Sequence, residues 1–367
     1  METRQLKWMK ARPIAPQTRH PMHKLFHVTG RAWSFLTANI PGEHFVIKHG
    51  GEVPKFLTEA QKALGDKGKM AYVIKDIEGC FPNMPKEAIR LALTDISKEI
   101  TQKWGYDKVL VPNKDSQKCT WKTTKKFGFT AVSFQVMLDV IDFVLDNTFI
   151  ADMEGGTRKQ VKGIPMGDPH SPGMTIGTCA WMEKEWNNCL SDSVKQSFKA
   201  ARYMDDILLA FNKNDQFDSQ RFIDDFTRSE CYWKPLTLED AKDATFLETS
   251  FHIDDENNVR YWLKNENMNG IQKVWRYAHF NSYSDFSLKQ RVLKATLQKV
   301  DGMASDKYAL HGSAVDKLLE FKSLNYPPGM IARVCNYMAA TSRNPTWFQI
   351  KHTLVSTTKK SYPLVQG

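Results

Sequence analysis

Residues 202–211 read RYMDDILLAF. Two adjacent carboxylates, Asp205 and Asp206, stand inside a run that is apolar on both sides. Two short strands joined by a tight turn explain this pattern better than a helix does. Adjacent ionised carboxylates repel each other, and apolar neighbours strip away their water. Such a pair costs stability unless a cation compensates.

Working outward, MAYVIKDIEG (70–79) reads as a buried strand that runs into Asp76. Between the two carboxylate segments lies GIPMGDPHSP (163–172), a Gly/Pro-rich loop that leads into a helix. Taken singly these are weak signals. An Asp after an apolar strand is ordinarily a turn residue, and the loop alone is ordinary turn chemistry. Taken together they suit nucleotidyl transfer, which needs two divalent ions about 4 Å apart, held by carboxylates on rigid elements.

The rest of the chain alternates helices and short strands. Helices are predicted over 22–36, 56–65, 85–102, 129–149, 174–192 and 216–228. Hairpins are predicted over 154–163 and 244–264, while 103–126 reads as polar and irregular, with Lys and Trp interleaved. Three helices follow (DFSLKQRVLKATLQKV, SAVDKLLEFKSLN and GMIARVCNYMAA), and 341–367 shows no clear pattern. The predicted fold class is α+β.

The chain has 367 residues and a net charge of +10, unevenly spread. Residues 1–50 carry +6, residues 264–367 carry +9, and residues 51–263 carry −5. Basic ends that grip a polyanion around an acidic centre that does metal chemistry would give this distribution. Two solvated basic surfaces would give it too. Six cysteines (Cys80, Cys119, Cys179, Cys189, Cys231, Cys335) form no C-x-x-C pair, which argues against a zinc ribbon and a disulfide framework and for a reducing compartment. No apolar stretch is long enough to span a membrane, and the basic N-terminus lacks the apolar core of a secretory signal. An intracellular location is expected, nuclear or cytoplasmic, with an organelle left open, and no membrane partner.

In order and spacing these segments resemble the reverse transcriptases over residues 7–265. YMDD followed by ILLAF resembles motif C, YVIKDIEGCF motif A, and QVKGIPMGDPHSPGMTIG motif B. KARPIAPQTRHP resembles the basic motif of the fingers, CYWKPL motif D, and ATFLETSF the primer-grip hairpin. VLDNTFIADMEGGTRKQVKGIPMGD, HFNSYSDFSLKQRVLKATLQKV and LLEFKSLNYPPGMIARV resemble segments of Penelope-like retroelement enzymes, which are relatives of telomerase. The tail contains nothing that resembles an endonuclease.

The resemblance implies a right-hand polymerase with fingers, an antiparallel-sheet palm and a helical thumb. Residues 1–69 would be partial fingers and palm entry, 70–275 palm with intervening fingers, 276–341 thumb, and 342–367 a tail. It implies an RNA-directed DNA polymerase that extends a primer 3′-hydroxyl with dNTPs. Two Mg²⁺ ions would serve it, with Mn²⁺ as an alternative. Asp76 and Asp205 would ligate both ions, Asp206 would be an outer ligand, and Ile77 would offer its backbone carbonyl. Lys10 and Arg12 would meet the triphosphate, where a guanidinium fork suits phosphate oxygens. Phe81 would be the steric gate against a ribose 2′-hydroxyl. Met166 and Gly167 would line the nucleotide pocket. Lys234 would be the acid for pyrophosphate. Tyr203 and Met204 would touch the primer end, and Lys289, Arg291 and Lys294 the template–primer backbone. Implied partners are an RNA template, a DNA or RNA primer, the RNA–DNA hybrid, the dNTP, and a larger ribonucleoprotein or protein assembly.

Bland readings stand beside these. Arg12 and Lys234 could be surface charges, Phe81 plain core, and His20, His23 and His27 a helix surface rather than a metal site. Asp168 and His170 depart from the small residues commoner in motif B, and Met166 from the Gln of retroviral enzymes. Two other functions compete. An RNA-synthesising polymerase is disfavoured by Phe81, because such enzymes usually carry an Asp there. A non-catalytic RNA-binding scaffold is disfavoured by the intact Asp76, Asp205 and Asp206.

Overall fold

The computed structural model describes residues 20–121, 127–151, 156–213, 218–228, 231–241, 245–264 and 276–357. Lys10 and Arg12 lie outside the described residues, as do parts of the predicted 154–163 hairpin. The chain divides into two compact units. The first comprises residues 1–48, 75–209 and 215–241; the second comprises 49–74, 210–214 and 242–367.

A four-stranded sheet carries the acidic segments. β1 (Lys69–Ile77), β6 (Phe198–Tyr203), β7 (Asp206–Lys213) and β8 (Leu238–Asp240) lie in the order β6-β7-β1-β8. The strand–turn–strand expected at 202–211 is present. β1 and β8 are antiparallel, with Asp76 opposite Glu239 and Ile77 opposite Leu238. Ile207 to Phe211 are all buried, so this run of five apolar residues belongs to a strand covered on both faces.

Four helices build the core of the first unit: α1 (His23–Thr37), α4 (Lys86–Trp104), α5 (Phe134–Asp146) and α6 (Ser171–Cys189). α2 (Val53–Leu64) belongs to the second unit, and α3 (Cys80–Asn83) is a single turn after β1. α6 packs on both α1 and α4. Gly177 permits the close approach, since a Cβ there would stand 2.7 Å from Leu93 Cδ2. Trp33 Nε1 donates to the Met137 carbonyl at 3.1 Å and ties α1 to α5.

The helix predicted over 129–149 is shorter than its apolar period suggests. Its first residues form β3 (Phe129–Ser133), and its end leads into β4 (Phe149–Ala151), which pairs with β5 (Thr157–Lys159). β3 pairs with β2 (Lys108–Pro112), placing Val109 opposite Val132, so the stretch read as irregular holds a strand. Ser133 marks the switch: its hydroxyl accepts from Val136 N–H as the α5 cap. The remaining elements of this unit are α7 (Asp192–Lys195) and α8 (Ser219–Thr227).

In the second unit β9 (Thr245–Phe246), β10 (Thr249–Ile253) and β11 (Val259–Leu263) form a meander. Four helices follow: α9 (Phe286–Gly302), α10 (Lys307–Ser323), α11 (Pro328–Ser342) and α12 (Thr346–Thr357). Leu293, Leu297, Leu310, Leu318, Phe321, Val334 and Trp347 share one core. α12 lies where the sequence shows no pattern; Trp347 and Ile350 reach that core while Phe348 is exposed. Among the described residues no helix is long and apolar enough to cross a membrane.

Candidate active site

The strand pairing brings two of the acidic segments together. Ile77 N–H donates to the Asp205 carbonyl at 3.0 Å, and Glu78 N–H donates to the Thr237 carbonyl at 2.8 Å. The Ile77–Asp205 bond sets Asp76 next to the β6–β7 turn. Met204 occupies that turn at φ 56°, a left-handed conformation uncommon for a residue with a Cβ. Asp76, Tyr203, Met204, Asp205 and Asp206 are half-buried. Burial, and then the neighbouring Asp205 charge, push the Asp206 carboxyl above its ordinary range.

Among the described residues no three His, Cys, Asp or Glu side chains converge as a ready metal cage. The donor set nevertheless suits a hard divalent cation, since carboxylate oxygens are its preferred ligands. Burial first, and the Asp205 charge second, disfavour the ionised Asp206, and a bound cation would offset both.

The 163–172 loop seats against the turn after β1. Ile164 N–H donates to the Phe81 carbonyl at 2.8 Å, and Gly163 has φ 70°. A Cβ on Gly163 would stand 2.5 Å from the Pro82 carbonyl oxygen and would also overlap the Phe81 carbonyl. Phe81 itself is half-buried. Met166 is half-buried, whereas Gly167, at φ 93°, is exposed.

The departures Asp168 and His170 are buried anchors of this loop. His170 Nδ1 lies 2.6 Å from Asp168 Oδ1, and Nε2 lies 2.7 Å from Thr29 Oγ1. His170 N–H also donates to Asp168 at 2.8 Å, and the Ser171 hydroxyl donates to the Pro165 carbonyl.

A second buried network stands behind the Met204 turn. Arg202, Glu183 and Tyr232 are each fully buried. The Arg202 guanidinium bonds Glu183 through Nε, reaches the Ile176 carbonyl from Nη2 at 3.4 Å, and donates from Nη1 to the Met204 carbonyl at 2.8 Å. Glu183 also accepts from the Tyr232 hydroxyl at 2.8 Å and from Phe45 N–H at 3.0 Å. Sequence reasoning missed this network. The available signal was Arg202 itself, a charge inside an apolar strand, but its partner Glu183 lies on a helix that gives no hint of the pairing.

The other expected residues differ in exposure. Lys234 is exposed. Lys289 corrects an expectation. It is only 6% exposed, its ammonium donates to the Ser282 carbonyl at 2.6 Å, and it lies 5.3 Å from the Phe280 ring centroid. It is an internal anchor rather than a phosphate contact. Arg291 is exposed and bonds back to Ser287; Lys294 is half-buried, with its ammonium 3.5 Å from the Tyr337 ring centroid.

No curated protein matches the chain. Telomerase from Candida albicans, solved with a fragment of telomeric RNA, is similar in structure with a TM-score of 0.56 at 11% identity, covering 89% of this chain and 53% of that one. Apo telomerase from Candida tropicalis gives a TM-score of 0.46 at 12% identity over 95% of this chain and 56% of that one. The Sicinivirus RNA-dependent RNA polymerase gives 0.36 at 10% identity over 70% and 48%. The chain thus spans about half the length of the structures it resembles. At this identity the first likeness speaks to the fold, an α+β right-hand polymerase. Residues 17–269, including both acidic strands and the loop between them, match the family described as "Reverse transcriptase (RNA-dependent DNA polymerase)", and the chain belongs to that family.

Proposed function

We propose that the chain is an RNA-directed DNA polymerase that extends a primer 3′-hydroxyl with dNTPs on an RNA template. The observation that carries this reading is the Ile77–Asp205 backbone bond, which sets Asp76 beside the Asp205–Asp206 turn. Divalent ions, Mg²⁺ or Mn²⁺, would supply charge neutralisation and a lowered pKa for the attacking hydroxyl when bound. Asp76 and Asp205 would hold them, with Asp206 as an outer ligand and the Ile77 carbonyl as a further donor. Phe81 backs the sugar of the incoming nucleotide, and Met166 and Gly167 border it. Lys10 and Arg12 bind the triphosphate, and Lys234 gives a proton to the departing pyrophosphate. Tyr203 and Met204 support the primer end, while Arg291 and Lys294 contact the backbone of the RNA–DNA hybrid. The Candida albicans telomerase, solved with RNA, supports an RNA partner, and the motif spellings support a Penelope-like, telomerase-related branch.

The test is primer extension on RNA and DNA templates with dNTPs or NTPs, for the parent and for Asp205→Asn. The amide keeps the size of the side chain but loses the charge. The expected result is extension on RNA with dNTPs that the substitution abolishes, with template–primer affinity unchanged. Asp205→Asn activity within tenfold of the parent sinks the assignment. Extension with NTPs alone would favour an RNA-synthesising enzyme.

A further inference from the structure

Met204 holds a left-handed conformation that side chains with a Cβ rarely adopt, so its surroundings must impose it. The carbonyl of that residue is held by a fully buried guanidinium. A buried ion pair is weak evidence for stability, because apolar residues of equal volume often serve as well. What apolar residues cannot do is donate to a carbonyl. The Arg202 fork reaches two backbone carbonyls from different elements, Ile176 on α6 and Met204 in the turn. Its counter-charge Glu183 also accepts from Tyr232, two residues before Lys234.

We propose that Arg202 is a positioning residue for the acidic turn. Charge-balanced by Glu183, it fixes the Met204 carbonyl and so sets the direction in which Asp205 and Asp206 present their carboxylates. Through Tyr232 the same anchor fixes the segment that bears Lys234. This inference rests on the reading of Asp205 as a metal ligand.

The experiment measures Mn²⁺ binding to the full chain by electron paramagnetic resonance without nucleic acid, alongside steady-state primer extension and melting temperature. The variants are Arg202→Met/Glu183→Met, which removes both charges together, and Arg202→Lys, which keeps the charge but not the fork. Both are expected to bind Mn²⁺ about tenfold more weakly and to lose about 100-fold in kcat, the scale of a misplaced reacting group. Template–primer affinity should stay within threefold. Tyr232→Phe should lower kcat several-fold and leave Mn²⁺ affinity at the parental value. A folded Arg202→Lys with parental Mn²⁺ affinity overturns the proposal, and it serves alone where the double variant does not fold. Asp205→Asn separates the two failures. If it binds Mn²⁺ as the parent does, the metal reading fails; if it loses Mn²⁺ while Arg202→Lys does not, only the positioning role fails.

Discussion

Gly163→Ala puts the contact between the loop and the turn after β1 to a quantitative test. The new methyl would stand 2.5 Å from the Pro82 carbonyl oxygen and 2.6 Å from its carbon, and both are backbone atoms that cannot rotate away. Ordinary van der Waals separation requires a displacement of about 1 Å. That shift breaks the 2.8 Å bond from Ile164 N–H to the Phe81 carbonyl, worth about 0.5–1.5 kcal/mol. A Cβ at φ 70° adds about 1–2 kcal/mol. The total is on the order of 2–3 kcal/mol, several degrees of melting temperature. The displacement falls on the backbone of Phe81, so its ring moves against the sugar site. We expect kcat/KM for dGTP to fall about 100-fold, the usual cost of a 1 Å misplacement. We also expect the dGTP:GTP preference to narrow, because a shifted ring no longer fills the space of a 2′-hydroxyl. The assay is kcat/KM for both nucleotides on one RNA template, with melting curves, for the parent, Gly163→Ala, Phe81→Ala and the double variant. The two substitutions should be non-additive in the ratio. If the ratio stays at the parental value while both rates fall together, Phe81 is packing and sugar choice lies elsewhere.

Asp206→Asn should raise the melting temperature of the metal-free protein at neutral pH. The folded state raises the Asp206 pKa, so the ionised carboxylate opposes folding above that pKa and the protonated form does not. The gain should fade as pH falls toward the ordinary carboxylate range, and a pH-independent gain would contradict the assignment. Arg291→Ala should weaken template–primer binding and lower the salt slope by up to ~0.9. Lys289→Ala should instead lower the melting temperature and leave the slope alone; the reverse pattern in salt titrations would refute the burial argument. Thr29→Val should leave His170 Nε2 without its 2.7 Å partner and cost about 1–3 kcal/mol of stability by denaturant titration. A neutral result would mean that the loop anchor is redundant.

The acidic segments were legible at short range, whereas several elements of the fold around them were not. Asp76 at the end of a strand and Asp205 in the turn between two strands stand out because a carboxylate among apolar neighbours is locally costly, and that cost is visible in ten residues. β2 was hidden because its only evidence is pairing with β3, and the apolar residues of β3 also satisfy the period of α5. α12 was hidden because its buried Trp347 and Ile350 stand beside the exposed Phe348, which blurs the apolar period. Lys289 shows the limit in the opposite direction. It shares one helix with Arg291 and Lys294, yet the segment before α9 folds back to accept its ammonium. The Arg202–Glu183 pair joins residues nineteen apart on a strand and a helix, and no local pattern announces it.

The α9–α12 bundle offers a handle for chemical control. Trp347 is fully buried, and its indole N–H donates to Asp301 at 2.9 Å. Truncation to Ala would remove about 3–5 kcal/mol and leave an apolar hollow with one acceptor at its wall. Engineered hollows of this size, lined by leucine and phenylalanine, stay dry and admit small aromatic molecules. Free indole matches both the lost volume and the lost N–H donor. Its stabilisation would grow with the logarithm of its concentration, about 2.7 kcal/mol at a hundredfold excess over Kd. A Trp347→Ala chain would then be a dose-dependent protein, its bundle assembled or loosened by an added solute while the acidic turn keeps its own sequence.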